Sequence, residues 1–158
     1  MSQGFMSAFP GGKVRLAVDT FLPACQIMAN WLSGMQEDEV VMQQSIYHDT
    51  LRKRCADICP TFLIGGTPCP DFSRNGKQVE GARAKVTLEF VSLVVESKTL
   101  VMVMENVPEI LQFQTYTDAK NILVNAGYVV LPITVSGKAA GLPTSRRRVF
   151  ICALNSKR

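Results

Sequence analysis

The length, composition and charge of the chain limit what kind of protein it can be. It has 158 residues, of which 47% are hydrophobic and 19% charged, with a net charge of +4 and a pI of about 8.9. These values exclude a disordered chain and predict a single folded domain over residues 1–158. The longest apolar stretch, residues 86–104, is interrupted by Lys98, so no membrane span is expected. The positive charge favours a polyanionic partner without identifying one.

The cysteines predict the compartment in which the chain folds. There are five, an odd number spread along the sequence: Cys25, Cys55, Cys59, Cys69 and Cys152. An oxidised framework is therefore not expected, and no secretory signal is recognised, so we predict a cytoplasmic location. Cys55 and Cys59 together with the single His48 have a poor spacing for zinc, and no second pair completes a site. No metal site is predicted.

In the first third of the chain the sequence pattern predicts a strand followed by a helix, twice in succession. Residues 4–9 (GFMSAF) are interpreted as a strand, and residues 14–21 (VRLAVDTF) as a helix that stops before Pro23. Residues 24–30 (ACQIMAN) are expected to form the second strand. Residues 33–44 follow as a helix, because acidic residues come early in this segment and are favourable near a helix N-terminus.

The remainder of the chain continues this alternation and closes with two strands. Strands are predicted over residues 62–66, 100–106, 128–135 and 148–155, and helices over residues 80–97 and 115–127. The helices show apolar residues about one helical turn apart, whereas the strands are short apolar runs. Alternating strands and helices predict an α/β fold with a mostly parallel, Rossmann-like sheet and helices on both faces. Ligands of such sheets bind beyond the carboxyl ends of the strands.

One of these strand ends carries a cysteine between two prolines. In the segment GGTPCPDFS, Pro68 and Pro70 restrict the backbone on both sides of Cys69, so the position of the thiol is set before a substrate arrives. An exposed thiolate in a polar setting is a strong nucleophile. Taken alone, the segment fits a cysteine in an ordinary turn better, because free cysteines are common buried residues.

Two further strand ends carry groups that complement a nucleophile. Glu105 ends an apolar strand, where desolvation raises the pKa of a carboxyl group and suits it to hold a proton. In SRRRVF, residues 145–150, strand alternation directs Arg146 and Arg148 to one side and Arg147 to the other. Taken alone, Glu105 also fits a helix cap and the arginines a solvated basic edge. Together the three groups predict a site for attack on an electrophilic ring.

The segments GGTPCPDFS, MENVPEIL and AAGLPTSRRRVFI, in this order, resemble the DNA cytosine-5 methyltransferase family over residues 9–155. The resemblance implies that Cys69 adds to C6 of a cytosine flipped out of the DNA, while Glu105 binds the ring N3 and the exocyclic amine. Arg146 and Arg148 would hold the base and the active-site loop. The ring would then take a methyl group at C5 from S-adenosylmethionine. Contacts to the base are also implied for Ser73, Asn106 and Val107.

The cofactor site that the resemblance implies is altered in this sequence. The family places glycines after its first strand, where the backbone approaches the cofactor, and here Pro10 stands at one of these positions. The second strand of the family ends in an acid that binds the ribose hydroxyls, where this chain offers Asn30. The implied contacts to S-adenosylmethionine are Phe9, Gly11, Gly12, Asn30, Trp31, Asp49 and Pro68, with Asp49 at the adenine.

Nothing in these 158 residues resembles the target-recognition domain and returning helix of the family. Three interpretations follow: one subunit of a split DNA methyltransferase of a restriction–modification system, a catalytically degenerate protein that binds DNA or a partner, or a methyltransferase of another nucleic acid such as tRNA. We favour the split enzyme, because a decayed chain has little reason to retain Cys69, Glu105 and both arginines. Its second subunit, or a homodimer, should cover apolar surface.

Overall fold

A computed structural model describes residues 2–34, 41–68 and 84–157 of the chain. The chain divides into two compact units, Met1–Pro60 and Thr61–Arg158, each with its own strands. None of the helices in the described ranges is long and apolar enough to cross a bilayer.

The described part of the first unit contains short parallel strands between helices. In chain order the elements are α1 (Ser2–Ala8), β1 (Ala17–Asp19), α2 (Leu22–Ser33), β2 (Val41–Gln43) and α3 (Asp49–Ile58). β1 pairs with β2 in parallel. Each longer helix buries one apolar stripe, which is Cys25 and Leu32 in α2 and Leu51 and Cys55 in α3. These stripes supply the apolar interior of this unit.

The elements predicted for the first unit are wrong in type. The strand predicted over residues 4–9 is largely helix α1, the helix predicted over 14–21 contains β1, and the strand predicted over 24–30 lies inside α2. Pro23 explains much of this. It occupies the first turn of α2, where the missing N–H costs nothing, so it begins a helix instead of ending one.

The helix predicted over residues 33–44 is also wrong where the structure describes it. Ser33 is the last residue of α2, and Val41–Gln43 form β2, while residues 35–40 lie outside the described ranges. A short apolar run such as Val41–Met42 cannot be assigned to helix or strand by periodicity alone. Its parallel pairing with β1 decides the matter.

The second unit is a four-stranded sheet in its described part, and the sequence predicts its strands and its two α-helices correctly where they are described. Residues 80–83 of the helix predicted over 80–97 lie outside the described ranges. β3 (Phe62–Gly66), β4 (Val101–Asn106), β5 (Tyr128–Ser136) and β6 (Arg147–Asn155) have the order β3-β4-β6-β5. β3 and β4 are parallel, and β6 is antiparallel to both β4 and β5, so β3, β4 and β5 run in one direction. Helix α4 (Ala84–Glu96) lies between β3 and β4 in the chain, and helix α5 (Gln114–Asn125) lies between β4 and β5. The predicted α/β fold with a mostly parallel sheet is confirmed.

The two faces of this sheet differ in exposure. Met102, Met104 and Asn106 of β4 are buried on one face, in register with buried Ala153, Ile151 and Val149 of β6. On the other face four apolar side chains are between 44% and 63% exposed: Val129, Leu131, Ile133 and Leu154. Exposed apolar surface of this kind is expected at an interface. The partner that would cover it stays a prediction.

β5 lies at the edge of the sheet formed by the described strands. The Ser156 N–H donates to the Gly127 carbonyl, and the Gly137 N–H donates to the Arg146 carbonyl. Because bonded and non-bonded pairs alternate along an antiparallel ladder, the odd-numbered residues of β5 are those hydrogen-bonded to β6. Pro132, paired with Ile151, is therefore at a position whose nitrogen points away from β6. A residue without an N–H is tolerated there because no ladder hydrogen bond is lost.

Helix α4 packs closely against the end of β3. A Cβ atom added at Gly65 would lie 2.5 Å from Cε2 of Phe90, whose side chain is buried. Real Cβ atoms do not approach a neighbour this closely, so the glycine is required by contact and not by its backbone angle. The same addition at Gly4 in α1 meets nothing within 4 Å.

Gly65→Ala is expected to lower the free energy of unfolding by about 1–3 kcal/mol, because the buried Phe90 ring must move to admit the methyl group. Urea denaturation measures this loss, and Phe90→Leu in the Gly65→Ala background should recover part of it. Gly4→Ala is the control and should leave stability equal or slightly higher, since alanine favours a helix. A wild-type urea midpoint for Gly65→Ala would contradict the close packing of β3 and α4.

Candidate active site

An ion pair between Glu105 and Arg148 forms the centre of the candidate site. Arg148 Nε lies 2.7 Å from Glu105 Oε1, and the side chains are 23% and 26% exposed, respectively. Strand register brings the two together: Glu105 of β4 is opposite Phe150 of β6, and Arg148 is two residues before Phe150 on the same face. Such diagonal neighbours are within reach of a long side chain. The sheet itself therefore builds the pair.

Arg148 is held by a second contact as well. Its Nη1 donates to the Arg147 carbonyl oxygen at 2.7 Å. The guanidinium can make both contacts because it has five N–H donors in a fixed plane. Together the contacts fix the orientation of the Glu105 carboxyl group through a charge-assisted hydrogen bond. A fixed carboxylate at the end of a strand suits recognition of a flat, polar ring.

Arg146 does not share this ion pair. It precedes the first residue of β6 and is exposed. Its backbone is fixed, because its N–H donates to Thr144 Oγ1 at 3.2 Å and its carbonyl accepts from the Gly137 N–H at 2.8 Å. Within the described ranges the carboxylate of Glu105 is paired with Arg148 alone. The predicted role of Arg146 in holding the base stays a prediction.

A buried polar network joins the ends of β3 and β4. Asn106 Nδ2 donates to Thr67 Oγ1 at 2.9 Å and to the Thr67 carbonyl at 3.4 Å, and Asn106 Oδ1 accepts from the Val107 N–H at 2.8 Å. Asn106 and Val107 are both buried. Sequence reasoning assigned these two residues to the base and did not foresee that the Asn106 amide binds Thr67. Their predicted base contacts are not tested.

Cys69 and Ser73, the predicted nucleophile and a predicted base contact, lie outside the described residues. Pro68 is the last described residue of this segment and is exposed. Thr67, two residues before Cys69, is the point at which the segment is tied to Asn106. Because Asn106 follows Glu105 directly, the network links the start of the cysteine segment to the strand that carries the acid.

Two other cysteines are poor nucleophiles. Burial raises the pKa of the Cys55 and Cys152 thiols above their usual value, so both are protonated at neutral pH. Among the described residues no group of three or more histidines, cysteines or acids converges on a point where a metal could bind.

The predicted cofactor residues of the first unit lie on helices and turns. Phe9 follows α1, and its ring is 4.8 Å from that of Phe5, measured between centroids. Gly11 has a φ of +87°, which favours glycine, and the Gly12 N–H donates to the Phe9 carbonyl. Asn30 and Trp31 are in α2, and Asp49 is the first residue of α3.

Asp19 is the acid that ends a strand in this unit, and sequence reasoning missed it. It is the last residue of β1, it is exposed, and its Oδ1 accepts a hydrogen bond from the Phe21 N–H at 2.8 Å. The signal was present in the alternation of Val14, Leu16 and Val18, which fits a strand ending in an acid. The prediction of a helix over residues 14–21 concealed it.

Solved structures show which class of protein shares this fold. The chain is similar to a prophage-encoded E. coli protein that has been assigned as a DNA modification methyltransferase, with a TM-score of 0.75 and 25% identity over 93% of this chain and 41% of that one. It also resembles DNMT2 of Spodoptera frugiperda, with a TM-score of 0.72 and 16% identity over 96% of this chain and 45% of that one. The fold is that of the class I methyltransferases.

Sequence comparison defines the family within this class. The family described as C-5 cytosine-specific DNA methylase matches residues 4–158, and the chain belongs to this family. It is 31% identical to the type II methyltransferase M.HgiDI of Herpetosiphon aurantiacus over 96% of this chain and 47% of the relative. It is 38% identical to M.HgiGI of the same organism over 68% of this chain and 81% of the relative. The chain spans about half the length of M.HgiDI.

A double-mutant cycle tests the ion pair. Arg148→Met and Glu105→Gln should be coupled by about 0.5–1 kcal/mol in the free energy of unfolding, because the pair is only partly buried and water screens it. Urea denaturation of both single variants and the double variant gives the coupling. The same cycle with Arg147→Met, an exposed neighbour, should give a coupling near zero. Equal couplings in the two cycles would contradict a specific pair.

Proposed function

We propose that the chain carries the catalytic part of a DNA cytosine-5 methyltransferase of a restriction–modification system, which acts on a flipped cytosine. The observation that carries the proposal is the Glu105–Arg148 ion pair at the end of β4, in a chain of this family. The network from Asn106 to Thr67 adds support, since it ties the same strand end to the segment that contains Cys69.

The proposed reaction uses the thiolate of Cys69 as a nucleophile. The sulfur forms a bond to C6 of the cytosine, and the electron pair of the C5–C6 double bond becomes available at C5. S-adenosylmethionine, when bound, would supply the methyl group that C5 takes, and would leave as the neutral thioether S-adenosylhomocysteine. Loss of the proton from C5 to a base then restores the double bond and releases the Cys69 thiolate, so that atoms and charges balance.

Glu105 makes the ring electrophilic in this proposal. Its carboxyl group binds the ring N3 and the exocyclic amine, and a proton at N3 draws electron density from C6. Arg148 holds the carboxyl group in one orientation before the base arrives, so less orientational freedom is lost when the base binds. Arg146, which is exposed beside β6, is proposed to hold the base or the DNA backbone.

For the cofactor we propose that Asp19 takes the role assigned from the sequence to Asn30. The resemblance requires an acid at the end of a strand to bind the ribose hydroxyls, and Asp19 ends β1, whereas Asn30 lies within α2. An exposed aromatic residue, Phe21, follows two positions later and offers a surface for the adenine. Gly11 and Gly12 in the turn after α1 stay candidates for close backbone approach.

Asp19→Asn is expected to weaken binding of S-adenosylmethionine about tenfold, because hydrogen bonds from the ribose hydroxyls lose their charged acceptor. Asparagine keeps an oxygen for the Phe21 N–H, so the turn should persist. Titration calorimetry measures the affinity, with Asn30→Ala as the control that should change it less than twofold. A large loss of affinity in Asn30→Ala, with little change in Asp19→Asn, would restore the assignment to Asn30. Failure of the wild-type chain to bind millimolar S-adenosylmethionine would count against the cofactor site.

Target recognition is proposed to come from a second subunit, with a homodimer as the alternative. Support comes from the exposed apolar face of the sheet, which a second folded surface would cover. The proposed enzyme acts in the cytoplasm, on DNA.

The decisive experiment traps the covalent bond to the base. Duplex DNA in which every cytosine is 5-fluorocytosine removes the need to know the target sequence, and fluorine at C5 blocks the last step. With S-adenosylmethionine present, the wild-type chain and Cys59→Ser should form an adduct that withstands denaturing electrophoresis, and Cys69→Ser should not. DNA binding without an adduct, also in the presence of a recognition subunit, would support the degenerate binding protein. An adduct with RNA alone would support another nucleic acid.

A further inference from the structure

The hydroxyl group of Thr67 is saturated with hydrogen bonds in a buried position. It accepts from Asn106 Nδ2 at 2.9 Å, is bonded to Thr87 Oγ1 at 3.1 Å, and donates to Met104 Sδ at 3.7 Å. All four residues are buried, and Thr87 has no exposed surface. A buried hydroxyl with every position filled tolerates little movement, because each lost bond leaves a polar atom unsatisfied.

The direction of each bond follows from the atoms involved. A thioether sulfur can only accept, so the single proton of Thr67 points to Met104. The amide nitrogen of Asn106 can only donate, and it occupies one lone pair of the Thr67 oxygen. Thr87 must therefore donate its own proton to the remaining lone pair. Removal of the Thr87 hydroxyl leaves this arrangement one donor short.

The network joins the ends of three elements at a chemically important place. Thr87 belongs to α4, Thr67 follows the last residue of β3, and Asn106 is the last residue of β4. Thr67 stands two residues before Cys69, and Asn106 stands directly after Glu105. The hydroxyl of Thr87 thus acts on the connection between the segment that carries the thiol and the strand that carries the acid.

We propose that Thr87 is a positioning residue, whose hydroxyl, with Asn106, holds Thr67 in place at the end of β3, two residues before Cys69. The inference rests on the proposed function, because its importance depends on Cys69 being the nucleophile. Thr87 touches neither base nor cofactor in this proposal. Its contribution is to the rate of covalent bond formation and not to the binding of S-adenosylmethionine.

The chain provides a matched control for a merely structural role. Ser97 Oγ and Thr99 Oγ1 are 2.8 Å apart, and both residues are buried where α4 leads into the start of β4. This pair is in the same unit as Thr87 but at the opposite end of the same helix and strand. Thr99→Val and Thr87→Val each replace one buried hydroxyl by a methyl group of similar size. We expect comparable shifts of the urea midpoint for the two variants.

The experiment compares Thr87→Val, Thr87→Ser and Thr99→Val under conditions in which each is fully folded. The rate of adduct formation with 5-fluorocytosine DNA should fall at least tenfold in Thr87→Val and stay within threefold of wild type in the other two, since serine keeps the hydroxyl. The affinity for S-adenosylmethionine should be unchanged throughout. A second readout needs neither DNA nor cofactor: alkylation of Cys69 by iodoacetamide, followed by peptide mass spectrometry with Cys59 as the internal reference.

Alkylation of Cys69 should be at least threefold faster in Thr87→Val than in wild type, because Thr67, two residues before Cys69, loses one of the hydrogen bonds that hold it. The rate should be unchanged in Thr99→Val. If Thr87→Val matches Thr99→Val in both readouts, the positioning role is overturned. If Thr87→Ser is as impaired as Thr87→Val, retaining the hydroxyl does not preserve the rate, so the packing of the side chain accounts for the loss and the proposal also fails. If wild type forms no adduct but Thr87→Val alone alters alkylation, positioning stands and the proposed function fails.

Discussion

The antiparallel register between β4 and β6 decides where the charges of the second unit meet. Glu105 faces Phe150, and the residue two positions earlier on the same strand face is Arg148, whose Nε reaches Glu105 Oε1 at 2.7 Å. A shift of this pairing by one residue would send Arg148 to the buried face with Asn106 and leave the carboxylate without its partner. The alternating burial along β4, with Met102, Met104 and Asn106 inside, opposes such a shift. The register between β4 and β6 therefore determines both which side chains are buried and where Glu105 meets Arg148.

Each side of β4 supports a different part of the proposed chemistry. The half-buried side carries the acid and its guanidinium partner, whereas the buried side carries an amide that binds the residue after β3. The cost of burying polar groups opposes movement on the buried side. Asn106 and the hydroxyls of Thr67 and Thr87 bond to one another, so a relative shift of β3, β4 and α4 would leave a buried donor or acceptor unpaired. In the proposed reaction a thiol has to reach one atom of a ring, and a fixed network at the end of β3 helps to set its position.

The second unit was predictable from sequence because its elements carry strong and distinct patterns. Residues 84–96 repeat apolar side chains at helical spacing, and Val101–Met104 form an unbroken apolar run, so neither can be confused with the other. In the first unit the runs are short, and Pro23 fits either the stop of one helix or the start of the next. The motif residues Glu105 and Arg148 were found because strand ends in such folds bind ligands. Asp19 was missed because a wrongly placed helix hid its strand end, and the binding of Asn106 to Thr67 depends on a parallel pairing that no local pattern reveals.

Pro132 has a consequence for how the protein can associate. Its nitrogen points outward from the edge strand β5, at a place where an incoming strand would need a donor. Another chain therefore cannot extend this border of the sheet without losing a hydrogen bond in the middle of the new ladder. The adjoining apolar face stays available for a folded surface, while stacking of unfolded neighbours into fibrils along this border is discouraged. Pro132 thus opposes strand addition at the edge of β5 without affecting association through the apolar face.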